Sequence, residues 1–308
     1  MTDTEVINPK MENQARRCGY VAIVGRPNVG KSTLLNYILG MKLSITSRKP
    51  QTTRHQILGV KTIQNIQAIY VDTPGIHQRR GTAINKYMNR AATSVLNDVD
   101  VVLFVVQAKK WTEEDQAILE KLKLVNCPVV LVVNKTDKLE SKKELLPEIQ
   151  QLSSYYDFAE IIPVSALNGS NVDVLQQKVS LLLPENDAIY PDDQVTDRSM
   201  RFLASEIIRE KLIRELGQEL PYTSAVVIDK YDEDESIIRI HATIFVESAG
   251  QKAIIIGKKG SRLKSIGTKA REDISKMAES KVYLNLWVKV REGWSNDERA
   301  LRGLGYGE

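Results

Sequence analysis

The chain of 308 residues has two cysteines, Cys18 and Cys127, three scattered histidines and only 6% aromatic residues. Two thiols far apart give no disulfide framework and no zinc spacing, and Cys127, just before the apolar run that starts at Pro128, reads as a small core residue. His55, His77 and His241 are too dispersed to form a metal cluster by sequence spacing alone. No apolar run approaches the roughly 20 residues that span a bilayer. The first residues, Met1-Thr2-Asp3-Thr4-Glu5, are polar where a signal peptide would be basic and then hydrophobic. These features suit a soluble intracellular protein, and the net charge of +4 is too small to establish a nucleic-acid partner by itself.

What is present is a set of phosphate- and base-reading motifs. The run Tyr20-Val21-Ala22-Ile23-Val24 leads into Gly25-Arg26-Pro27-Asn28-Val29-Gly30-Lys31-Ser32-Thr33, a GxxxxGKS loop followed by the helix-like Leu34 to Leu39. Strand, loop and helix in that order let backbone N–H groups converge on phosphate oxygens at the positive end of a helix. Lys31 is placed to reach the terminal phosphates, and the Ser32 hydroxyl to hold magnesium. A second strand closes in Val71-Asp72-Thr73-Pro74-Gly75, where Asp72 supplies the magnesium-side carboxylate and the Gly75 N–H faces the γ-phosphate. Val129 to Val133 then runs into Asn134-Lys135-Thr136-Asp137. The Asp137 carboxylate can accept from guanine N1–H and its exocyclic amine, Asn134 can bond the base edge and the loop, and the Lys135 stem can cover the ring. Adenine lacks those donors, and an unpaired carboxylate makes the mismatch expensive. Ser165-Ala166-Leu167 completes the series, with the Ala166 N–H directed at guanine O6.

Hydrolysis of GTP follows as the expected chemistry, with Lys31, Thr53 and Gly75 as its candidate catalytic groups. In Lys49-Pro50-Gln51-Thr52-Thr53-Arg54 a threonine hydroxyl can join Ser32 and Asp72 on magnesium; Thr53 is favoured over Thr52, with loop residues of no special role as the competing reading. Ile76 stands where Ras-type enzymes carry a water-orienting glutamine, so intrinsic turnover should be slow. Asn28 has two open roles, coordinating a potassium ion against the phosphates or bonding the loop to itself. His77, beside Gln78-Arg79-Arg80, reads as a solvated switch residue rather than a base.

Alternating apolar strands and amphipathic helices between residues 18 and 184 describe an α/β phosphate-loop G domain, a mostly parallel sheet with helices on both faces and one antiparallel hairpin at residues 56–71. Residues 1–17 read as a flexible tail, and the acidic, proline-bracketed 185–197 as a linker. Residues 198–308 read as a smaller α+β domain in the order helix, strand, strand, helix, helix, strand, followed by a tail. Gly257-Lys258-Lys259-Gly260 joins two helices there, which matches a type II KH module whose loop clamps a short single strand. Ile254, Ile255 and Ile256, with Val246, are the candidate apolar groove, and Arg262 and Lys264 extend a basic stripe from Lys252 to Arg271 that contains no Asp or Glu. The competing reading is a chance GxxG on a solvated basic face. Tyr283, Trp287 and Trp294 read as packing residues.

From Cys18 to Tyr306 the chain resembles the Era family of bacterial GTPases, through GRPNVGKST, KPQTTRH, DTPGIH, NKTD, SAL, IIIGKKGSRLKSIG and VKVREGWSNDERALRGLGY. The resemblance implies a monomeric cytoplasmic factor using GTP, GDP and magnesium. It further implies binding near the 3′ end of 16S ribosomal RNA, assistance to 30S subunit assembly and rRNA processing, and peripheral contact with the inner membrane. Gln107, where relatives often carry aspartate, reads as lying away from the nucleotide motifs. Three rival classes remain: an RNA-binding scaffold with little turnover, a translation or RNA-modification GTPase, and a membrane-associated signalling GTPase.

Overall fold

The computed structural model describes residues 15–47, 49, 52–75, 83–216, 224–297, 299 and 301, with Asn97 and Lys142 through their backbone only. Two sheets organise the chain, one of six strands and one of three.

The first is built from β1 (Arg17–Val24), β2 (Ile57–Ile63), β3 (Ile66–Asp72), β4 (Val101–Gln107), β5 (Val129–Asn134) and β6 (Glu160–Pro163) in the order β2-β3-β1-β4-β5-β6. All neighbours are parallel except β2 and β3, which form an antiparallel hairpin at the edge. The central strands Val101–Val106 and Val129–Val133 are buried along their length, because α1 (Lys31–Leu39), α2 (Ala83–Ser94), α3 (Glu113–Leu122), α4 (Leu145–Ser153) and α5 (Val172–Leu182) cover the sheet. Val21, Ile23, Leu103, Val105 and Val132 pack with one set of helices, and Ala22, Val24, Phe104 and Leu131 with the other. That alternation between layers follows from the period of two along each strand.

Two boundaries differ from the sequence reading. Arg17 belongs to β1 rather than to a tail, paired with Ile66 and bridged to Glu185. The expected linker is a strap laid on the hairpin: Gln67 Nε2 donates to the Tyr190 carbonyl at 2.8 Å, the Ile189 and Tyr190 N–H groups donate to Gln67 Oε1 at 2.9 Å each, and Val60 N–H donates to Val195 O at 2.8 Å. The strap thus meets polar groups that an edge strand leaves open.

The second sheet, β7 (Ser224–Glu233), β8 (Ile237–Val246) and β9 (Lys281–Val290), pairs β7 with β8 antiparallel and β8 with β9 parallel. The helices α6 (Met200–Glu215), α7 (Ala249–Ile256) and α8 (Ser261–Met277) cover one face, and Ile207, Ile208, Leu212, Ile240, Ile244, Ile266 and Ile274 form the core between. β7 runs to Glu233, which leaves Asp234, Glu235 and Ser236 as the turn before β8. Among the described residues no helix is long and apolar enough to cross a membrane.

Candidate functional site

The carboxyl ends of β1, β3, β5 and β6 open on one cleft of about 1040 Å³. The phosphate loop enters it from β1 and turns into α1 at Gly30, whose backbone is left-handed (φ 106°). A Cβ there would also collide with Asn134 Nδ2, so glycine is required twice over. Arg26 forms an ion pair with buried Asp115 at 3.0 Å, and Asp115 also accepts from Thr112 N–H in the capping box of α3. Val29 is buried in the core, and Thr73 donates to the Ile23 carbonyl at 2.9 Å. The side chains of Arg26, Val29 and Thr73 therefore fasten the loops and face away from ligand. Pro27, Asn28, Gly30, Lys31, Ser32, Thr33 and Gly75 do line the cleft.

Lys31 Nζ donates to the carbonyls of Gly25 and Arg26 at 2.9 and 3.1 Å. Burial lowers its pKa to about 8, with Asp72 opposing the shift. Ser32 Oγ lies 2.8 Å from Thr53 Oγ1 and donates to Asp72 Oδ2 at 2.7 Å. Ser44 Oγ donates to the same carboxylate oxygen at 2.7 Å. Burial raises the Asp72 pKa, against Lys31 and the two serines. Its Oδ1 is buried with no hydrogen-bond partner among the described residues. A desolvated carboxylate oxygen beside two hydroxyls is a hard-oxygen donor set that fits magnesium. Thr52 is turned elsewhere, with Oγ1 donating to Lys49 O at 2.7 Å and meeting Ser47 Oγ at 2.8 Å. Ile76 and His77 lie outside the described residues.

At the other end, Asn134 Nδ2 donates to Val29 O at 2.8 Å while its Oδ1 accepts from the N–H groups of Lys135 and Ala166 at 2.7 and 2.9 Å. Ser165 Oγ donates to Asp137 Oδ1 at 2.6 Å, and Leu167 is exposed on the rim. Lys135 Nζ donates to the Asn28 carbonyl and, at 3.0 Å, to Gln107 Oε1. Gln107 thus touches the base-side lysine, contrary to the sequence reading. It pairs with Asn134 across β4 and β5, so it ends its strand beside the motif. Desolvation lowers the Lys135 pKa to about 8, with the cations Lys138, Arg26 and Lys110 adding to it.

The sequence reading also missed a contribution from the second domain. Ile213 and Arg214 of α6 line the cleft beside Thr46, Ser47 and Lys49. Glu210, fully buried, accepts from Thr46 N–H at 3.1 Å and pairs with Lys42 at 2.5 Å and with Lys211 and Arg214. Lys42 and Lys211 both pair with Asp273 of α8. Arg209 donates to Thr52 O at 2.6 Å while held by Glu206, and Arg54 donates to Ser224 O at 2.9 Å. The segment that supplies Thr53 is therefore docked on the helix bearing these charges.

In the KH-like domain α7 ends at Gly257, where φ is 71° and a Cβ would press on Arg262 Cβ at 2.8 Å. Lys258 and Lys259 project into solvent and Lys264 is exposed. Arg262 Nη1 donates to the Ile254 carbonyl at 2.6 Å, closing the C-terminus of α7. Ile254 is exposed, but Ile255 and Val246 are in the core and Ile256 packs against it. Consecutive helical positions are about 100° apart, so three isoleucines in a row cannot share one groove. The stripe is also less free than its composition suggests, because Lys269 pairs with Glu215 of α6. Trp294 is buried as expected, whereas Tyr283 and Trp287 are exposed and not core.

A phosphate loop, a magnesium-type triad and a guanine-edge reader on one sheet, joined to a GxxG module, define a guanine-nucleotide-binding protein with an RNA-binding domain. A family of 50S ribosome-binding GTPases matches residues 20–135 and a KH domain family matches residues 219–295. The chain is 61% identical over 290 residues to GTPase Era of Ectopseudomonas mendocina, covering 94% of this chain and 97% of that one. It is 59% identical to GTPase Era of Pseudomonas aeruginosa, covering 95% and 96%. Among solved structures it superposes with a TM-score of 0.92 on a point variant of Aquifex aeolicus Era bound to GDP.AlF4⁻, at 40% identity over 95% of this chain and all of that one. It superposes equally well, at 41% identity, on an Era complex with MgGDPNP and nucleotides 1506–1542 of 16S ribosomal RNA. The chain belongs to the Era family of GTPases.

Proposed function

We propose that this protein is a magnesium-dependent GTP-hydrolysing switch that binds near the 3′ end of 16S ribosomal RNA and assists assembly and rRNA processing of the 30S subunit. It acts in the cytoplasm, with peripheral contact at the inner membrane. The observation that carries the reading is the joining of Thr53 to Ser32 at 2.8 Å by a segment whose neighbours Thr46 and Thr52 are bonded to α6.

In this reading Asp137 selects guanine with Ser165 fixing its carboxylate, Asn134 ties the phosphate loop to the base loops, and the Ala166 N–H exchanges Asn134 Oδ1 for the base edge. Phosphate-loop N–H groups and Lys31 hold the phosphates, and Lys31 exchanges two carbonyl partners for phosphate oxygens. Ser32, Thr53 and Asp72 would hold magnesium, which would supply neutralisation of phosphate charge. Gly75 presents its N–H to the γ-phosphate. Asn28 lines the same cleft and is the residue that potassium would engage. Loss of the γ-phosphate releases Thr53, and the release reaches α6 through Thr46 and Thr52.

Lys258 and Lys259 grip RNA phosphates, with Ile254, Gly257, Gly260, Arg262 and Lys264 around them. If GTP raises RNA affinity, RNA must raise GTP affinity by the same factor. The test is binding of RNA from the 16S 3′ end to protein loaded with a non-hydrolysable GTP analogue or with GDP. Tighter binding with the GTP analogue is expected. Lys258→Glu with Lys259→Glu should lose RNA binding by at least about ten-fold, more so at low salt, and keep basal hydrolysis. Equal affinity in the two nucleotide states would sink the switch, and an unaffected double variant would sink the loop assignment.

A further inference from the structure

β9 is one edge of the three-stranded sheet among the described residues, and its two faces differ. Val282, Leu284, Leu286 and Val288 pack toward the helices, so Tyr283, Asn285, Trp287 and Lys289 point to the opposite side. The parallel register sets Tyr283 beside Arg239, Asn285 beside His241 and Trp287 beside Thr243. The His241 ring lies almost parallel to Trp287, with centroids 5.5 Å apart and an interplanar angle of 16°, and Tyr283 is 6.1 Å from His241 on its other side. Tyr283 remains 50% exposed and Trp287 44%.

Three rings gathered on one sheet face, two of them left about half in water, form a contiguous exposed patch of the kind that marks an interaction surface. One end of this face is already covered: Phe245 and Val227 pack against Ile84, Ala225, Trp294 and Leu301. The open aromatics begin where that docking ends. Around them the charges are mixed. Lys230 pairs with Asp232, and Arg239 with Asp234, while Lys289 is exposed two positions beyond Trp287. Such a surface is poor at gripping phosphates broadly and suited to stacking flat rings, with an amide at Asn285 to meet a base edge.

We propose that the open face of β8 and β9 is a second RNA contact, on which Trp287, His241 and Tyr283 stack unpaired bases of a strand leaving the GxxG loop. The proposal rests on the RNA-binding reading of that loop. Continuity supports it: α7 and α8 both pack against β9, so a strand emerging from between them reaches the other face by passing round one edge strand. A KH loop clamps only about four nucleotides, which leaves the rest of a longer single strand to be held elsewhere.

The test uses the full chain loaded with a non-hydrolysable GTP analogue, and unstructured RNA of about four nucleotides or about twelve. Trp287→Ala should weaken binding of the longer RNA roughly ten-fold and leave the shorter one within about two-fold. Trp287→Phe, which keeps a stacking plane, should retain most of the affinity, and Tyr283→Ala should fall between. Basal GTP hydrolysis and thermal midpoint should match the wild type. Undiminished affinity of Trp287→Ala for the longer RNA would overturn the proposal, as would equal loss for both lengths. Either outcome leaves the loop assignment intact provided that the Lys258 and Lys259 double variant still loses both RNAs.

Discussion

At the base end of the cleft, Asn134, Asp137, Ser165 and Ala166 are bonded to one another and to Val29, all within the G domain. At the phosphate end, Ser32, Ser44, Thr53 and Asp72 form an equally close set, but the segment that brings Thr53 and Ser44 is also held by Arg209, Glu210 and Arg214 of α6. One end is a fixed reader and the other is shared between domains. A nucleotide can therefore be recognised without moving the KH domain, whereas a change at the γ-phosphate acts on groups the KH domain also holds. This division separates affinity for guanine from control of RNA.

The harshest way to probe the comparison is Asp137→Ala. In the proposed reading Asp137 accepts from two guanine donors, a hydrogen-bonded discrimination of the kind worth about 10⁴- to 10⁵-fold. GTP affinity should fall by that factor in direct titration, while RNA affinity measured without nucleotide stays at the wild-type value. A comparable loss of nucleotide-free RNA binding would show that the base end is not insulated.

Next in size is Glu210→Ala at the shared end. Glu210 is fully buried and serves Thr46, Lys42, Lys211 and Arg214, so its removal leaves Lys211 buried with Asp273 as its remaining carboxylate. Breaking such a cluster destabilises by about 3–5 kcal/mol. The expected result is a lower thermal midpoint and loss of the difference in RNA affinity between the GTP- and GDP-loaded forms, with guanine selectivity over adenine unchanged. Retention of the full nucleotide effect on RNA would break the comparison.

The two ends also differ in how far sequence reveals them. The base reader and phosphate loop are legible because each sits at the end of an apolar strand and its chemistry is local to a few consecutive residues. Gln107 could have been placed by the same rule, since it closes β4 next to Asn134 on β5. The shared end is not legible in this way. In α6 the charges are interleaved with the apolar positions around the helix, and spacing cannot tell that Glu206, Arg209, Glu210 and Lys211 are themselves buried, because the groups that Arg209 and Glu210 meet on the G domain lie more than 150 positions away. On β9 the opposite error arises: strand alternation puts Tyr283 and Trp287 on the face away from Val282 and Val288, and only the habit of placing large rings inside hides it. Ile255 is similarly fixed by helix geometry rather than by its neighbours' identity.

The mildest probe is acid. His55 ends the docked segment, packed edge-on to Phe202 of α6 at 5.4 Å and to Tyr87 of α2 at 6.3 Å. Burial lowers its pKa from 6.5 to about 4; Glu206 opposes this, and Arg209, Arg198 and Arg54 reinforce it. A histidine with a depressed folded pKa takes up its proton more readily once exposed, so its contribution to docking is present above pH 6.5 and is lost as pH falls toward about 4. The loss should be about 1 kcal/mol near pH 5.5 and approach roughly 3 kcal/mol below pH 4. Two carboxylates of the interface do not mimic it in the upper part of that window. Burial opposes ionisation of Glu206 and Asp273, but Arg209 in one case, and Lys211 with Lys42 in the other, hold them below the ordinary carboxylate range. At the base end Lys135 titrates only near pH 8, so mild acid leaves its charge unchanged. Small-angle scattering and the thermal midpoint between about pH 7 and pH 5.5 should therefore show loosening of the domain interface while selectivity for guanine over adenine changes little. His55→Gln, which does not titrate, should flatten the response, and an identical acid slope in that variant would assign the effect to other groups.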